Sequence, residues 1–140
     1  MESMTLPISE ALYQAAKDAF SRAHAPYSQF HVGAAAQTES GEIVKGCNVE
    51  NASYGLTVCA ERNCISNAVV NGHTKFAVMA IYTEQEKLTP PCGACRQVIA
   101  EFFRPDTLIV ATNHKRAFKA WQLQEILPDA FTPDDLINKD

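Results

Sequence analysis

Residues 58–103, VCAERNCISNAVVNGHTKFAVMAIYTEQEKLTPPCGACRQVIAEFF, hold two helix-like segments with an apolar run between them. Residues 59–71 place Ile65, Ala68 and Val69 at the spacing of one helical face, and Gly72 is a natural terminator. Residues 76–82 form an apolar run of strand length, short enough to be fully buried. Residues 93–103 read as a further helix and 107–112 as a further buried strand. Strand alternating with helix is the pattern of a sheet with a parallel portion, because parallel neighbours need a long crossover.

Working outward, Ser9 suits the N-cap of a first helix in which Leu12, Ala15, Ala16, Ala19, Phe20 and Ala23 share a face before Pro26. Residues 31–38 (HVGAAAQT) and 42–49 (EIVKGCNV) then read as two strands joined across a turn with Gly41 at positive φ. This hairpin makes the sheet mixed. A polar loop follows over 48–57. Towards the C-terminus, 117–123 reads as a last strand and 124–127 as a short helix stopped by Pro128. The order is α, β, β, α, β, α, β and a tail. It predicts an α/β protein whose residues 1–140 form a single domain without repeats or linkers.

The chain has 140 residues, 46% hydrophobic and 20% charged, an ordinary balance for a folded globular domain. No apolar run approaches the ~20 residues needed to cross a bilayer, and residues 1–10 lack the basic and apolar stretches of a signal peptide. A cytoplasmic protein with no membrane partner is expected. The net charge of −4 opposes a nucleic-acid partner, which is gripped by clustered Lys and Arg, and favours a small-molecule ligand.

Five cysteines, an odd number with no export signal, argue against a disulfide framework and for metal binding. Cys59 opens one predicted helix and Cys92 and Cys95 open another. Helix N-termini carry partial positive charge, which favours the thiolate that binds zinc. Three thiolates leave a fourth tetrahedral position for water, the arrangement of a catalytic rather than a structural zinc site. Zinc there brings the pKa of water to about 7. Glu61, two residues from Cys59, is placed to take the water proton and deliver it first to a heterocycle nitrogen and then to a leaving amine. The C-x-E and P-C-x-x-C pair is the established signature of zinc deaminases. Arg62 can donate to the sulfurs and offset three thiolate charges on one dication. Cys47 and Cys64 read as inert buried residues, and none of the four histidines (His24, His31, His73, His114) stands two residues before a Glu, so none is assigned to the metal.

At these residues the chain resembles the small, homotetrameric cytidine deaminases. The resemblance is carried by YSQFHVGAA at 27–35, GCNVENASY at 46–54, VCAER at 58–62, PCGACRQV at 91–98 and LPDAF at 127–131, in corresponding order over nearly the whole chain. It implies a three-layer αβα fold with a mixed five-stranded sheet. It also implies zinc on Cys59, Cys92 and Cys95, Glu61 as proton shuttle and Arg62 as the partner of the thiolates. Asn48 and Glu50 would bind the ribose 3′-hydroxyl, Phe30 would flank the base, and the Ala60 backbone with Glu61 would read the pyrimidine edge. Tyr54 would lie near the site and the subunit contact, and Phe131 would reach the base of a neighbouring subunit in a homotetramer. The implied activity is deamination of cytidine and 2′-deoxycytidine in pyrimidine salvage.

Three positions depart from the usual pattern: His31 where Pro is common, Pro90 where Ser often precedes Pro-Cys, and Gln122 where Thr commonly caps the late helix. Gln is the poorer cap, which predicts a frayed helix end. The competing activities are a deaminase of a modified cytosine nucleoside such as blasticidin S, a polynucleotide deaminase, and a non-enzymatic zinc module with four protein ligands. For Phe131 the alternative is an anchor in the core of its own chain.

Overall fold

The computed structural model describes residues 5–137. Along the chain run α1 (Glu10–Phe20), β1 (Gly33–Thr38), β2 (Ile43–Cys47), a 3-10 turn (Tyr54–Leu56), α2 (Ala60–Val70), β3 (Phe76–Thr83), α3 (Gly93–Phe102), β4 (Leu108–Asn113), β5 (Phe118–Gln122), α4 (Leu123–Ile126) and α5 (Pro133–Ile137). The five strands form one sheet in the order β2-β1-β3-β4-β5. β1 is antiparallel to both β2 and β3, β3 and β4 are parallel, and β5 returns antiparallel on β4. Strands β2, β3 and β4 therefore point the same way. The helices that follow β2 and β3 must start at the same end of the sheet.

Alternating side chains of the strands supply two cores, as period-two geometry requires. On one face Ala35, Ala80 and Tyr82 meet Leu12, Tyr13 and Ala16 of α1. On the other, Ala34, Ala36, Met79, Ile81 and Ile109 meet Ala60, Cys64, Ile65 and Ala68 of α2 and Ile99 of α3. These are the three layers expected, with the expected mixed five-stranded sheet between two helical layers. Among the described residues no helix is long and apolar enough to cross a membrane.

Local departures have local causes. In α2 the inward positions are 60, 61, 64, 65 and 68, so Val69, expected inside, is 41% exposed. Helix α1 closes at Phe20, leaving Ala23 beyond it, and Tyr13 supplies core bulk that a small-residue stripe did not suggest. Strand β1 begins at Gly33 rather than at residue 31, because the Asn48 side chain takes the Val32 N–H. Cys64 is buried as expected, whereas Cys47 is only half-buried. At the start of α4 the Glu125 carboxylate accepts the Gln122 N–H at 2.7 Å, holding an end that Gln122 alone was expected to leave frayed. Helix α5 and the 3-10 turn were not anticipated.

What sets α2 on the sheet is Gly46. A Cβ there would lie 2.2 Å from the Cys64 nitrogen and 2.7 Å from the Ala60 carbonyl oxygen, so strand and helix backbones are in direct contact. That carbonyl belongs to the first turn of α2, which follows Cys59. Gly46→Ala is expected to destabilise the fold by about 1–3 kcal/mol or more, the cost of overpacking where only backbone can yield. Chemical denaturation checks this; an unchanged midpoint would show that the contact is slack.

Candidate active site

Cys59 and Cys92 occupy equivalent positions. Each is the N-cap of its helix, with extended backbone (φ −70°, ψ 157° and φ −69°, ψ 169°) that turns the side chain across the helix mouth. Cys95 sits in the first turn of α3 and is buried. The Sγ atoms of Cys59 and Cys92 are 3.8 Å apart, those of Cys92 and Cys95 3.4 Å, and all three lie within 4.8 Å of one another. Thiolates about 2.3 Å from a tetrahedral zinc ion stand about 3.8 Å apart, so the spacing and donor chemistry fit that ion. Cys64 does not join them. Its thiol donates to the Val44 carbonyl oxygen at 3.4 Å, and burial pushes its pKa up to about 12.

Charge in the cluster is unevenly held. Cys59 is lowered to about 5, first by the hydrogen bond from Cys95 and then by Arg62 and Cys92. Cys95 is driven up by the same hydrogen bond to Cys59 and by its own burial. Arg62 Nη2 donates to Cys59 Sγ at 3.5 Å, and its Nε is buried without a partner. The guanidinium therefore faces the sulfurs.

Glu61 is 5% exposed, unusual for a carboxylate. Burial raises its pKa to about 7, the Cys59 thiolate adds to the rise, and its own backbone N–H and Arg62 oppose it. Ala60, beside it in the first turn, is fully buried. A buried carboxyl group thus lies in the first turn of the helix that Cys59 caps.

Asn48 and Glu50 are engaged with the chain itself. Asn48 Oδ1 accepts the Val32 N–H at 2.9 Å and its Nδ2 donates to the Phe30 carbonyl oxygen at 2.8 Å. Glu50 Oε1 accepts the N–H groups of Tyr27 and Ser28 at 3.0 and 3.1 Å, and the Ser28 hydroxyl donates to Oε2. That hydroxyl, ahead of the two backbone donors, holds the Glu50 pKa below the usual carboxylate range. Tyr27, Ser28, Glu50, Tyr54 and Thr57 line an open cavity of about 380 Å³. Phe30 packs half-buried against the core that carries α2.

Two of the predicted residues keep large apolar side chains in solvent in the single chain. Tyr54 is 76% exposed, touching Tyr27 edge-on with ring centroids 6.1 Å apart. Phe131 is 56% exposed, with its carbonyl oxygen accepting from Gln97 Nε2 of α3 at 2.8 Å, which excludes it as a core anchor of its own chain. Tyr27, Ser28 and Thr57 gained no role from sequence. A polar turn just before Phe30 was the signal available, and it is one that ordinary loops share.

The chain matches the family model described as "Cytidine and deoxycytidylate deaminase zinc-binding region" over residues 7–112. It is 42% identical over 127 residues to a cytidine deaminase of Sporosarcina psychrophila, spanning 91% of this chain and 93% of that one. Its fold is similar to the crystal structure of cytidine deaminase from Burkholderia pseudomallei, with a TM-score of 0.84, 45% identity and coverage of 89% of this chain and all of that one. Cytidine deaminase from Mycobacterium tuberculosis follows, with a TM-score of 0.75, 40% identity and coverage of 86% and 94%.

Elemental analysis of the purified protein is expected to find one zinc per chain, and Cys92→Ala is expected to lose it. Stoichiometric metal surviving unchanged in that variant would place the ion elsewhere.

Proposed function

The chain belongs to the cytidine and deoxycytidylate deaminase family, and from that membership we propose that it hydrolyses cytidine and 2′-deoxycytidine to uridine and 2′-deoxyuridine with release of ammonia, a step of pyrimidine salvage. The observation that carries the reading is a buried carboxyl group, Glu61, at the helix start that also supplies one of three clustered thiols. On this reading residues 1–140 work as one deaminase domain in the cytoplasm.

Cys59, Cys92 and Cys95 hold zinc, with Arg62 offsetting their negative charge. Bound there, zinc supplies the Lewis acidity that makes water a nucleophile near neutral pH. Glu61 takes one proton from the attacking water and passes it to N3 of the base. As the oxygen becomes bonded to C4, Glu61 moves the remaining hydroxyl proton to the 4-amino nitrogen, which leaves as ammonia when its bond to C4 breaks. Burial keeps solvent from intercepting these transfers. The Ala60 backbone and Glu61 read the pyrimidine edge, Phe30 flanks the base, and Asn48 and Glu50 meet the ribose 3′-hydroxyl.

The assembly is a homotetramer with shared sites. Support comes from apolar groups that the single chain leaves in solvent, Tyr54, Leu56 and Phe131 among them. Phe131 closes a neighbour's pocket and Tyr54 lies at the subunit contact.

Two variants test this reading. Glu61→Gln is expected to retain zinc and lose turnover by about 10²–10⁴-fold or more, the range for a lost acid–base group. Ammonia release from cytidine, 2′-deoxycytidine, cytosine and blasticidin S, measured in parallel, is expected for the first two. Turnover by the Glu61→Gln variant within about threefold of wild type would remove Glu61 from the reaction. In sedimentation, wild type and Phe131→Leu are both expected as four chains, with KM raised in the variant. A fully active monomer, or an unchanged KM, would rule out a shared site.

A further inference from the structure

The turn before Phe30 is built around one hydroxyl group. Ser28 Oγ accepts the Phe30 N–H at 3.0 Å while donating its own proton to Glu50 Oε2. The residue between, Gln29, has φ of +60°, a left-handed conformation that costs a non-glycine residue energy and persists only where neighbours enforce it. Asn48 holds the other side of the same segment through the Phe30 carbonyl oxygen and the Val32 N–H. Ser28 is thus joined both to the acidic group on the cavity wall and to the main chain of the aromatic residue beside it.

A carboxylate has roughly four acceptor positions, two on each oxygen. In Glu50 two on Oε1 are filled by the Tyr27 and Ser28 N–H groups, and one on Oε2 by the Ser28 hydroxyl. One position on Oε2 is left, on a residue that lines the 380 Å³ cavity. A single remaining acceptor in a fixed orientation suits a single hydroxyl donor.

We propose that Ser28 is a positioning residue for sugar recognition: its hydroxyl fixes the Glu50 carboxylate so that one acceptor faces the nucleoside 3′-hydroxyl. The inference rests on Glu50 being the acceptor for that hydroxyl. Without the Ser28 proton, Oε2 regains a second acceptor that water can fill, and the carboxylate can rotate about its last bond.

The test compares kcat/KM for 2′-deoxycytidine and 2′,3′-dideoxycytidine, which differ only at the 3′-hydroxyl. Wild type is expected to prefer the former by roughly 10- to 100-fold, the range of a hydrogen bond to a charged group. Ser28→Ala is expected to lose most of this preference through a raised KM for 2′-deoxycytidine, with 2′,3′-dideoxycytidine kinetics within about threefold of wild type. Ser28→Cys, close in shape but a weak donor, is expected to behave likewise, and Ser28→Thr to retain the preference. If the Ala and Cys variants slow both substrates in parallel, the hydroxyl only shapes the turn and the proposal is overturned. If wild type shows no preference between the two substrates, or Glu50→Ala keeps the wild-type preference, Glu50 is not the acceptor, and the premise fails along with the proposal.

Discussion

The site exists because two helix starts meet, and the direction of the strands compels that meeting. β2 and β3 point the same way although β1 lies between them, so the connections leaving both emerge at one end of the sheet. Each connection turns into a helix on the same face, and the first residue across each helix mouth is a cysteine. Had β2 run the other way, Cys59 would start its helix at the far end of the sheet. The length of β3, eight residues at about 3.3 Å each, sets that separation and would put the sulfurs beyond reach of a common ion. The close contact at Gly46 does the remaining work of holding the first turn of α2 against the sheet.

The same end of the fold concentrates positive potential where negative charge must gather. Two helix N-termini and Arg62 surround the sulfurs, while Glu61 is buried in the first turn of α2. These groups act against one another. Burial, and after it the Cys59 thiolate, raises the cost of a charged Glu61, and its own backbone N–H and Arg62 lower it. A carboxylate that must accept a proton and release it is served by such a balance.

Sequence exposed most of this because the informative residues are local. Cys59 and Glu61 lie in one turn, Cys92 and Cys95 in another, and the αβ alternation says which end of a helix each occupies. Apolar runs at 76–82 and 107–112 marked β3 and β4 to within a residue or so. Long-range hydrogen-bond partners were not legible. Asn48 and Glu50 read as loop polars until the fold laid them against residues 27–32, some twenty positions earlier, where main-chain N–H groups needed acceptors. The inward face of α2 was misjudged by one position at Val69, which is 41% exposed while Ala60 and Cys64 are fully buried. Tyr13 escaped because the stripe of alanines around it already completed a helical face.

The exposed aromatics follow from how little of the chain remains to cover this end. α2 and α3 are occupied below by the sheet, and the loop of residues 48–57 spans the mouth with only a three-residue 3-10 turn of its own. Its backbone is paired at Val49, Glu50 and Val58, but nothing in the chain covers the side chains on the turn between them, and Tyr54 and Leu56 stay in solvent. The segment after α4 leaves Phe131 exposed for the same reason: past Pro128 it is pinned by the Gln97 bond to the Phe131 carbonyl, which fixes the backbone and leaves the ring free. A residue whose backbone is already held, with its ring uncovered by its own chain, has less freedom left to lose when a second surface covers it. A surface that covered Tyr54 would bury apolar area at the edge of the cavity that Glu50 and Tyr54 line.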